Sequence, residues 1–113
     1  MTIYLISFPS SAMDVPDSEI PAVSQAARAV IVEAKAAGVL IYTGGLDDDI
    51  PPILVAGDGS VTDDAYPESK NLSGGFAIMD LPSHEEAVDW AAKIAVACRC
   101  SQELRQFQVD NRF

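Results

Sequence analysis

The sequence predicts an α+β fold in which an antiparallel sheet carries both of its helices on one face. Hydrophobic patterns follow the order strand, helix, strand, hairpin, strand, helix, strand, which is the split βαβ order. Residues 3–8 and 76–81 are apolar at both odd and even positions, so we expect these two strands in the middle of the sheet. The length of 113 residues suits one domain, which we assign to 1–113.

Each predicted helix has an apolar stripe that repeats every three or four residues. The first helix ends before Gly38, a residue suited to a helix C-terminus. The second begins with a capping box, in which Ser83 can bond the backbone N–H of Glu86. The stripes are Val23, Ala27, Val30, Ala34 and Ala37 in the first helix, and Ala87, Trp90, Ala91, Ile94 and Cys98 in the second.

The other strands are shorter or more polar. An Asp-Gly step at Asp58 predicts a tight hairpin turn. In the last strand, Arg105, Phe107 and Val109 share one face and Leu104 lies on the other. These strands are predicted at 39–43, at 53–56 and 60–62 for the hairpin, and at 103–109.

A sheet with both helices on one face should expose polar side chains to water on the other face, but here both faces are apolar. In the first strand, Tyr4, Ile6 and Phe8 lie on one face and Ile3 and Leu5 on the other. An apolar patch of several hundred Å² on a sheet marks a partner surface. We therefore expect a homodimer that packs sheet on sheet about a two-fold axis.

The composition excludes several classes of partner. The net charge is −10, so nucleic acid and anionic membrane surfaces would be repelled. No apolar run is long enough to span a membrane and no signal peptide is apparent, so we expect a cytoplasmic protein. Cys98 and Cys100 should stay reduced there. With His84 as the single histidine, we expect neither a metal nor another cofactor.

The candidate functional residues lie mainly in the stretch VTDDAYPESKNLSGGFAIMD, at 61–80. Asp63 follows a hairpin strand, where its carboxylate can cap the turn or project into a cleft. Tyr66 precedes a proline, which restricts it to an extended conformation and fixes the direction of its phenol. Glu68 and Lys70 form either a surface ion pair or a pair that orients a substrate.

Gly74 and Gly75 permit backbone torsions or close approaches that a side chain would block. His84 lies in the first turn of a capped helix, which favours a surface position over a general base. The acidic run 47–49 lacks the spacing of a calcium loop, and we interpret it as a solvated loop. No nucleophile elbow, phosphate loop or dinucleotide fingerprint is present.

Three segments carry a family resemblance: AAGVLIYTGGL, AGDGSVTDDAYPESKNLSGGFAIMDLPSHEEAVDWAAKI and QELRQF. They resemble the YCII-related proteins, in particular the DGPF-domain branch. The resemblance implies a dimeric α+β barrel of ferredoxin-like subunits. The Asp-Gly-Pro-Phe signature falls on Asp63, Asp64, Ala65 and Tyr66, and the family's His-Asp pair near the first helix has no counterpart here. Further family positions match Glu68, Lys70, Gly74, Gly75, Phe76 and Arg105.

We therefore expect a small-molecule binding domain, with or without catalysis, in which two cations would hold any anionic group of the ligand. The cleft would lie between sheet and helices or at the dimer interface, lined by Asp63, Tyr66, Lys70 and Arg105. No catalytic residue is assigned. One alternative is an accessory or regulatory protein, since DGPF-type proteins resemble companions of extracytoplasmic-function sigma factors. Another is a stable dimer in which the motif is purely structural.

Overall fold

A computed structural model describes residues 1–109 and shows a four-stranded antiparallel sheet with two helices. The strand order is β2-β5-β1-β6, so the two strands predicted to be central, β1 and β5, are the central ones. This is the ferredoxin-like arrangement. The sheet strands are β1 (Thr2–Phe8), β2 (Leu40–Gly45), β5 (Gly75–Leu81) and β6 (Glu103–Gln106).

One end of each helix is marked by a local signal in the sequence. Helix α1 (Ile20–Ala36) is followed by Gly38 at φ +74°, as the glycine predicts. Helix α2 (His84–Cys98) begins at Ser83, whose Oγ accepts the Glu86 backbone N–H at 3.2 Å. The Ser83 half of the predicted capping box is therefore confirmed. Neither helix is long and apolar enough to cross a membrane.

The core lies between the helices and one face of the sheet. Its largest fully buried side chains are Ile6, Met79 and Leu81, which come from the two central strands. Helix α1 contributes Ala34 and helix α2 contributes Ala87, so small residues let the helices approach the sheet closely. Other core residues are Tyr4, Ala77, Ile94 and Cys98.

The face of the sheet away from the helices, which we call the open face, is apolar and partly exposed. Cross-strand pairs put Ile3 opposite Asp80, Leu5 opposite Ile78 and Ser7 opposite Phe76 on this face. Ile3 is 40% exposed, and Tyr42 at the β2 edge is 64% exposed. Apolar side chains thus lie on both faces of the central strands, as their pattern predicts.

Residues 46–73, which we call the arm, connect β2 to β5 and contain a separate hairpin. Strands β3 (Leu54–Val55) and β4 (Val61–Thr62) pair with each other, which confirms the predicted hairpin. Within residues 1–109 the hairpin makes at most marginal contact with any other strand or helix. Its side chains Val55 and Val61 are 63% and 56% exposed, so the hairpin projects from the body.

The last strand is shorter than its pattern predicts. It ends at Gln106, whereas the alternation suggests a strand to Val109. Phe107 N still bonds Ile3 O at 2.9 Å, so the pairing with β1 continues one residue past the end of the strand.

Candidate functional site

A cavity of about 390 Å³ lies on the open face, where the ends of β1 and β6 meet residues 68–73 of the arm. Its volume is within the range of small-molecule sites in proteins. The walls combine apolar carbon with hydroxyl, amide and charged groups. The lining residues are Leu5, Ser7, Phe8, Pro9, Glu68, Ser69, Asn71, Leu72, Ser73, Phe76, Glu103 and Arg105.

Strand register places Arg105 in this open-face cavity. Arg105 lies opposite Leu5 and Glu103 lies opposite Ser7, so both charged residues are on the open face. Arg105 Nη2 donates to Glu103 Oε2 at 2.8 Å. The two side chains are 58% and 55% exposed, so water screens this ion pair. A ligand can therefore compete for the guanidinium, which has five N–H donors.

The arm reaches the open face because both ends of its final segment are fixed. Tyr66 is extended, with φ −61° and ψ 143°, as expected before a proline. A single 3-10 turn at Pro67–Ser69 follows and reverses the chain. At the other end, Ser73 Oγ accepts the backbone N–H of Ser10 at 3.1 Å, which ties the arm to the end of β1.

The glycine pair lets the arm and β1 approach each other. Gly74 has φ +89°, and a β-carbon there would lie 1.9 Å from the carbonyl oxygen of Phe8. A β-carbon at Gly75 would lie 2.9 Å from the Phe8 ring. Neither position has room for a side chain without movement of its neighbour, so the pair permits the close approach of the arm to the end of β1.

A second cavity, of about 180 Å³, lies between the helices and the sheet, and we call it the helix-side cavity. None of its lining residues is charged, and its polar side chains are Thr43, Cys98 and Gln102. Of the predicted site residues, only Gly75 lines it. The apolar part of its lining comes from Ile6, Phe8, Ala27, Val30, Ile31, Gly44, Gly45, Gly75, Phe76, Ala77 and Ile94.

The structure brings together two of the predicted polar site residues, Glu68 and Arg105, in the open-face cavity. Lys70 instead lines a third cavity, of about 540 Å³, beside the acidic loop 47–49. Its ammonium lies 3.9 Å from Asp64 Oδ1. Of the two alternatives for Glu68 and Lys70, the mutual ion pair is not formed, because the turn in the arm directs the two residues to different cavities.

Asp63 and Tyr66 line none of these three cavities. Both are exposed, and the exposed fraction of Tyr66 is 69%. The carboxylate that bonds this turn belongs to Asp64, whose Oδ1 accepts the Ala65 N–H at 2.8 Å. Asp63 and Tyr66 thus lie apart from the pair formed by Glu68 and Arg105.

Two acidic residues that the sequence reasoning did not select lie on the open face. Glu103 is two residues before Arg105 and therefore lies on the same face of β6. This spacing is the sequence feature that could have identified it. Asp80 lies opposite Ile3 on the central strand β5. Its Oδ1 is shielded from solvent and accepts no hydrogen bond within residues 1–109. Asp80 could have been identified because it is the one carboxylate inside the apolar run 76–81.

His84 is exposed at the start of α2, as predicted for a surface residue. Its ring centroid is 6.2 Å from that of Tyr4. In the acidic loop, Asp47 Oδ1 accepts the Asp49 N–H at 3.0 Å, so this carboxylate holds the loop's own backbone. No group of three or more His, Cys, Asp or Glu side chains within residues 1–109 is arranged to hold a metal ion.

Both cysteines are free thiols with altered acidity. Burial, with a smaller contribution from repulsion by Cys100, raises the pKa of Cys98. Burial also raises the pKa of Cys100, and a hydrogen bond from Gln102 opposes that rise. Both thiols therefore stay protonated near neutral pH and are poor nucleophiles.

One solved structure that resembles this chain is 5-chloro-2-hydroxyhydroquinone dehydrochlorinase from Burkholderia phenoliruptrix AC1100, in complex with 2,5-dihydroxybenzoquinone. The TM-score is 0.51 and the sequence identity is 20%, over 94% of this chain and 93% of that chain. At this identity the likeness shows a shared fold. No curated protein sequence matches.

The family comparison is more direct. The model of the YCII-related domain matches residues 7–103, which include β2 and β5 in full but only Ser7 and Phe8 of β1 and Glu103 of β6. Neither comparison connects the chain to a sigma factor. The match is to the YCII-related domain as a whole, so the DGPF branch stays a prediction. The chain belongs to the YCII-related family.

Proposed function

We propose that this protein binds a small ring compound carrying one negative group and one or more hydroxyls, in the open-face cavity. The proposal rests on the lining of this cavity, in which Arg105, Glu68 and Glu103 lie beside apolar side chains. The guanidinium suits a carboxylate or an oxyanion. A second negative group would be repelled by the two glutamates, whereas hydroxyls can donate to them.

The floor of the cavity favours a ring. Leu5 and Phe76 line it between the polar groups, and an aromatic ring packs well against both. The dehydrochlorinase of the same fold is described with a bound dihydroxybenzoquinone, which supports a hydroxylated ring as the kind of ligand tested first.

We further propose that the binding unit is a homodimer in which the open faces pack together and close the cavity. The exposure of Ile3 and Tyr42 supports it, since burying these side chains would stabilise the pair. So does Asp80, because a shielded oxygen without a donor is rare in a complete assembly. The two free thiols fit our expectation of a cytoplasmic protein.

Isothermal titration calorimetry with 2,5-dihydroxybenzoate tests the ligand. We expect Arg105→Ala to weaken binding about tenfold or more, which is the scale of a hydrogen bond to a charged group. Arg28→Ala, an exposed arginine on α1, is the matched control and should bind like the wild type. Equal affinities for the two variants would refute the proposed site.

A second variant separates the hydroxyls from the anion. Glu68→Gln should weaken binding of 2,5-dihydroxybenzoate, because the amide is a weaker acceptor than the carboxylate. The same change should leave benzoate binding unchanged or stronger, because it removes a negative charge from the cavity. Weaker binding of both ligands would show that Glu68 acts only through structure.

Sedimentation equilibrium tests the dimer. Leu5→Glu places a charge in the middle of the open face and should convert the dimer to a monomer. Val96→Glu is the control, because Val96 is 80% exposed on helix α2. A monomeric wild type would refute the dimer, while the ligand titration would still report on the cavity.

A further inference from the structure

We propose that the helix-side cavity is a second binding site, which takes a neutral single-ring molecule with at most one hydroxyl. The cavity has a volume of about 180 Å³ and lies between α1, α2 and the sheet. A dry apolar cavity of roughly 150 Å³ holds one benzene molecule. The space therefore matches one substituted ring.

Small residues on three different elements keep this cavity open. Ala27 comes from α1, Gly44 and Gly45 from β2, and Ala77 from β5. Protein interiors are close-packed, and voids larger than a water molecule are few in a domain. A leucine at position 27 would suit a helix about as well as alanine and would fill the space. The void is therefore a property of the side chains present and is not forced by the backbone.

The lining determines the charge of the ligand. No lysine, arginine, aspartate or glutamate lines the cavity, so an ion would lose its hydration without gaining a partner. This separates the helix-side cavity from the open-face cavity, where Arg105 can pair with an anion. The two sites therefore bind different classes of molecule, and the present inference does not depend on the proposed function.

The polar groups of the wall indicate a single hydroxyl. Thr43 Oγ1 donates to the Phe76 carbonyl oxygen at 3.0 Å, and Gln102 Nε2 donates to the Cys100 carbonyl oxygen at 3.3 Å. Each side chain has thus used a donor and has acceptor capacity left. A phenolic hydroxyl can donate to one of these acceptors, whereas a ligand with several hydroxyls would leave the rest unsatisfied.

Thermal unfolding of the full chain with p-cresol, toluene and benzoate tests the inference. We expect p-cresol and toluene at millimolar concentration to raise the Tm by a few degrees, because both bind the folded state only. Benzoate should not act through this cavity, and Arg105→Ala removes any effect that benzoate has through the open face. The response to p-cresol should be unchanged in Arg105→Ala.

Two variants on the same helix locate the site. Ala27→Leu fills the cavity and should abolish the Tm increase with p-cresol. Ala26→Leu adds the same side chain at the adjacent, exposed position and should keep the increase. Equal responses in the two variants would overturn the inference.

Methyl NMR on the wild type gives an answer that does not depend on any variant folding. Addition of p-cresol should shift the methyl signals of Val30 and Ile94, which line the helix-side cavity. The methyl signals of Leu5, on the open face, should stay in place. No shift at Val30 and Ile94, or a shift confined to Leu5, would overturn the inference.

Discussion

Gly74 and Phe8 are in such close contact that a β-carbon on Gly74 would lie 1.9 Å from the carbonyl oxygen of Phe8. Gly74 also has φ +89°, where side chains are strained. Gly74→Ala should therefore destabilise the protein by roughly 2 to 4 kcal/mol, through strain and a backbone clash. Urea unfolding measures the change. Gly57→Ala is the control, since no atom lies within 4 Å of that β-carbon, and an equal loss there would contradict the contact.

The N-cap of α2 gives a second prediction. Ser83 Oγ accepts the Glu86 N–H at 3.2 Å, so Ser83→Ala should lower the free energy of unfolding by about 1 kcal/mol. Ser83→Asp should keep most of the stability, because aspartate is an equally good N-cap. Both changes are read from urea unfolding. If Ser83→Ala and Ser83→Asp change the free energy of unfolding equally, the side-chain cap does not contribute to stability.

The cysteines give a prediction about pH. Burial raises the pKa of Cys98 above its ordinary value of 9.0, so the folded state binds the thiol proton more tightly than the unfolded chain does. This contribution to stability is present below pH 9.0 and is lost as the pH rises through the folded value. Thermal unfolding between pH 7 and pH 10 should show a steeper loss for the wild type than for Cys98→Ser. Parallel curves would contradict a raised pKa.

Alkylation by iodoacetamide distinguishes the two thiols. Cys98 is 6% exposed, whereas Cys100 is only half-buried. At pH 8 we expect Cys100 to react first and Cys98 more slowly, with both slower than a free cysteine. Mass spectrometry of each single-serine variant measures the rates. A Cys98 rate equal to that of free cysteine would show that the helix-side cavity admits the reagent freely.

The turn of the hairpin gives a prediction at acidic pH. The Asp58 carboxylate accepts the Ser60 backbone N–H at 2.8 Å, and this bond, with one from the Ser60 hydroxyl, lowers the pKa of Asp58 below 3.8. Its contribution to hairpin stability is present above pH 3.8 and is lost as the pH falls through the folded value. An NMR titration of the Asp58 carboxyl carbon should show the lowered pKa, and Ser60→Ala should return it part of the way. An ordinary pKa in the wild type would contradict the bond.

Features set by neighbouring residues could be predicted from the sequence. The capping bond of Ser83 and the hairpin turn at Asp58 each lie within four residues and are confirmed. The central strands could also be predicted, because burial on both faces leaves an apolar pattern at both parities. Even so, the end of β6 at Gln106 could not be predicted, because the apolar alternation continues to Val109.

The candidate site could be predicted only in part, for a physical reason. Glu68 and Arg105 are far apart in sequence and meet because the arm folds back over β1 and β6. Lys70 pairs with Asp64 rather than Glu68 because a single turn sets their directions. The helix-side cavity depends on how two helices sit over the sheet, and the apolar stripes predict only which faces meet.

The strand order has a consequence for synthesis on the ribosome. β1 is made first, yet both strands that flank it come from the second half of the chain, since Thr2 pairs with Leu81 and Tyr4 pairs with Gln106. At ribosomal speed the nascent β1 waits roughly 5 to 20 seconds for its neighbours. Throughout that time an apolar strand has both edges unpaired, which is the state most open to aggregation. Emergence of β5, rather than of the first half of the chain, therefore starts formation of the sheet.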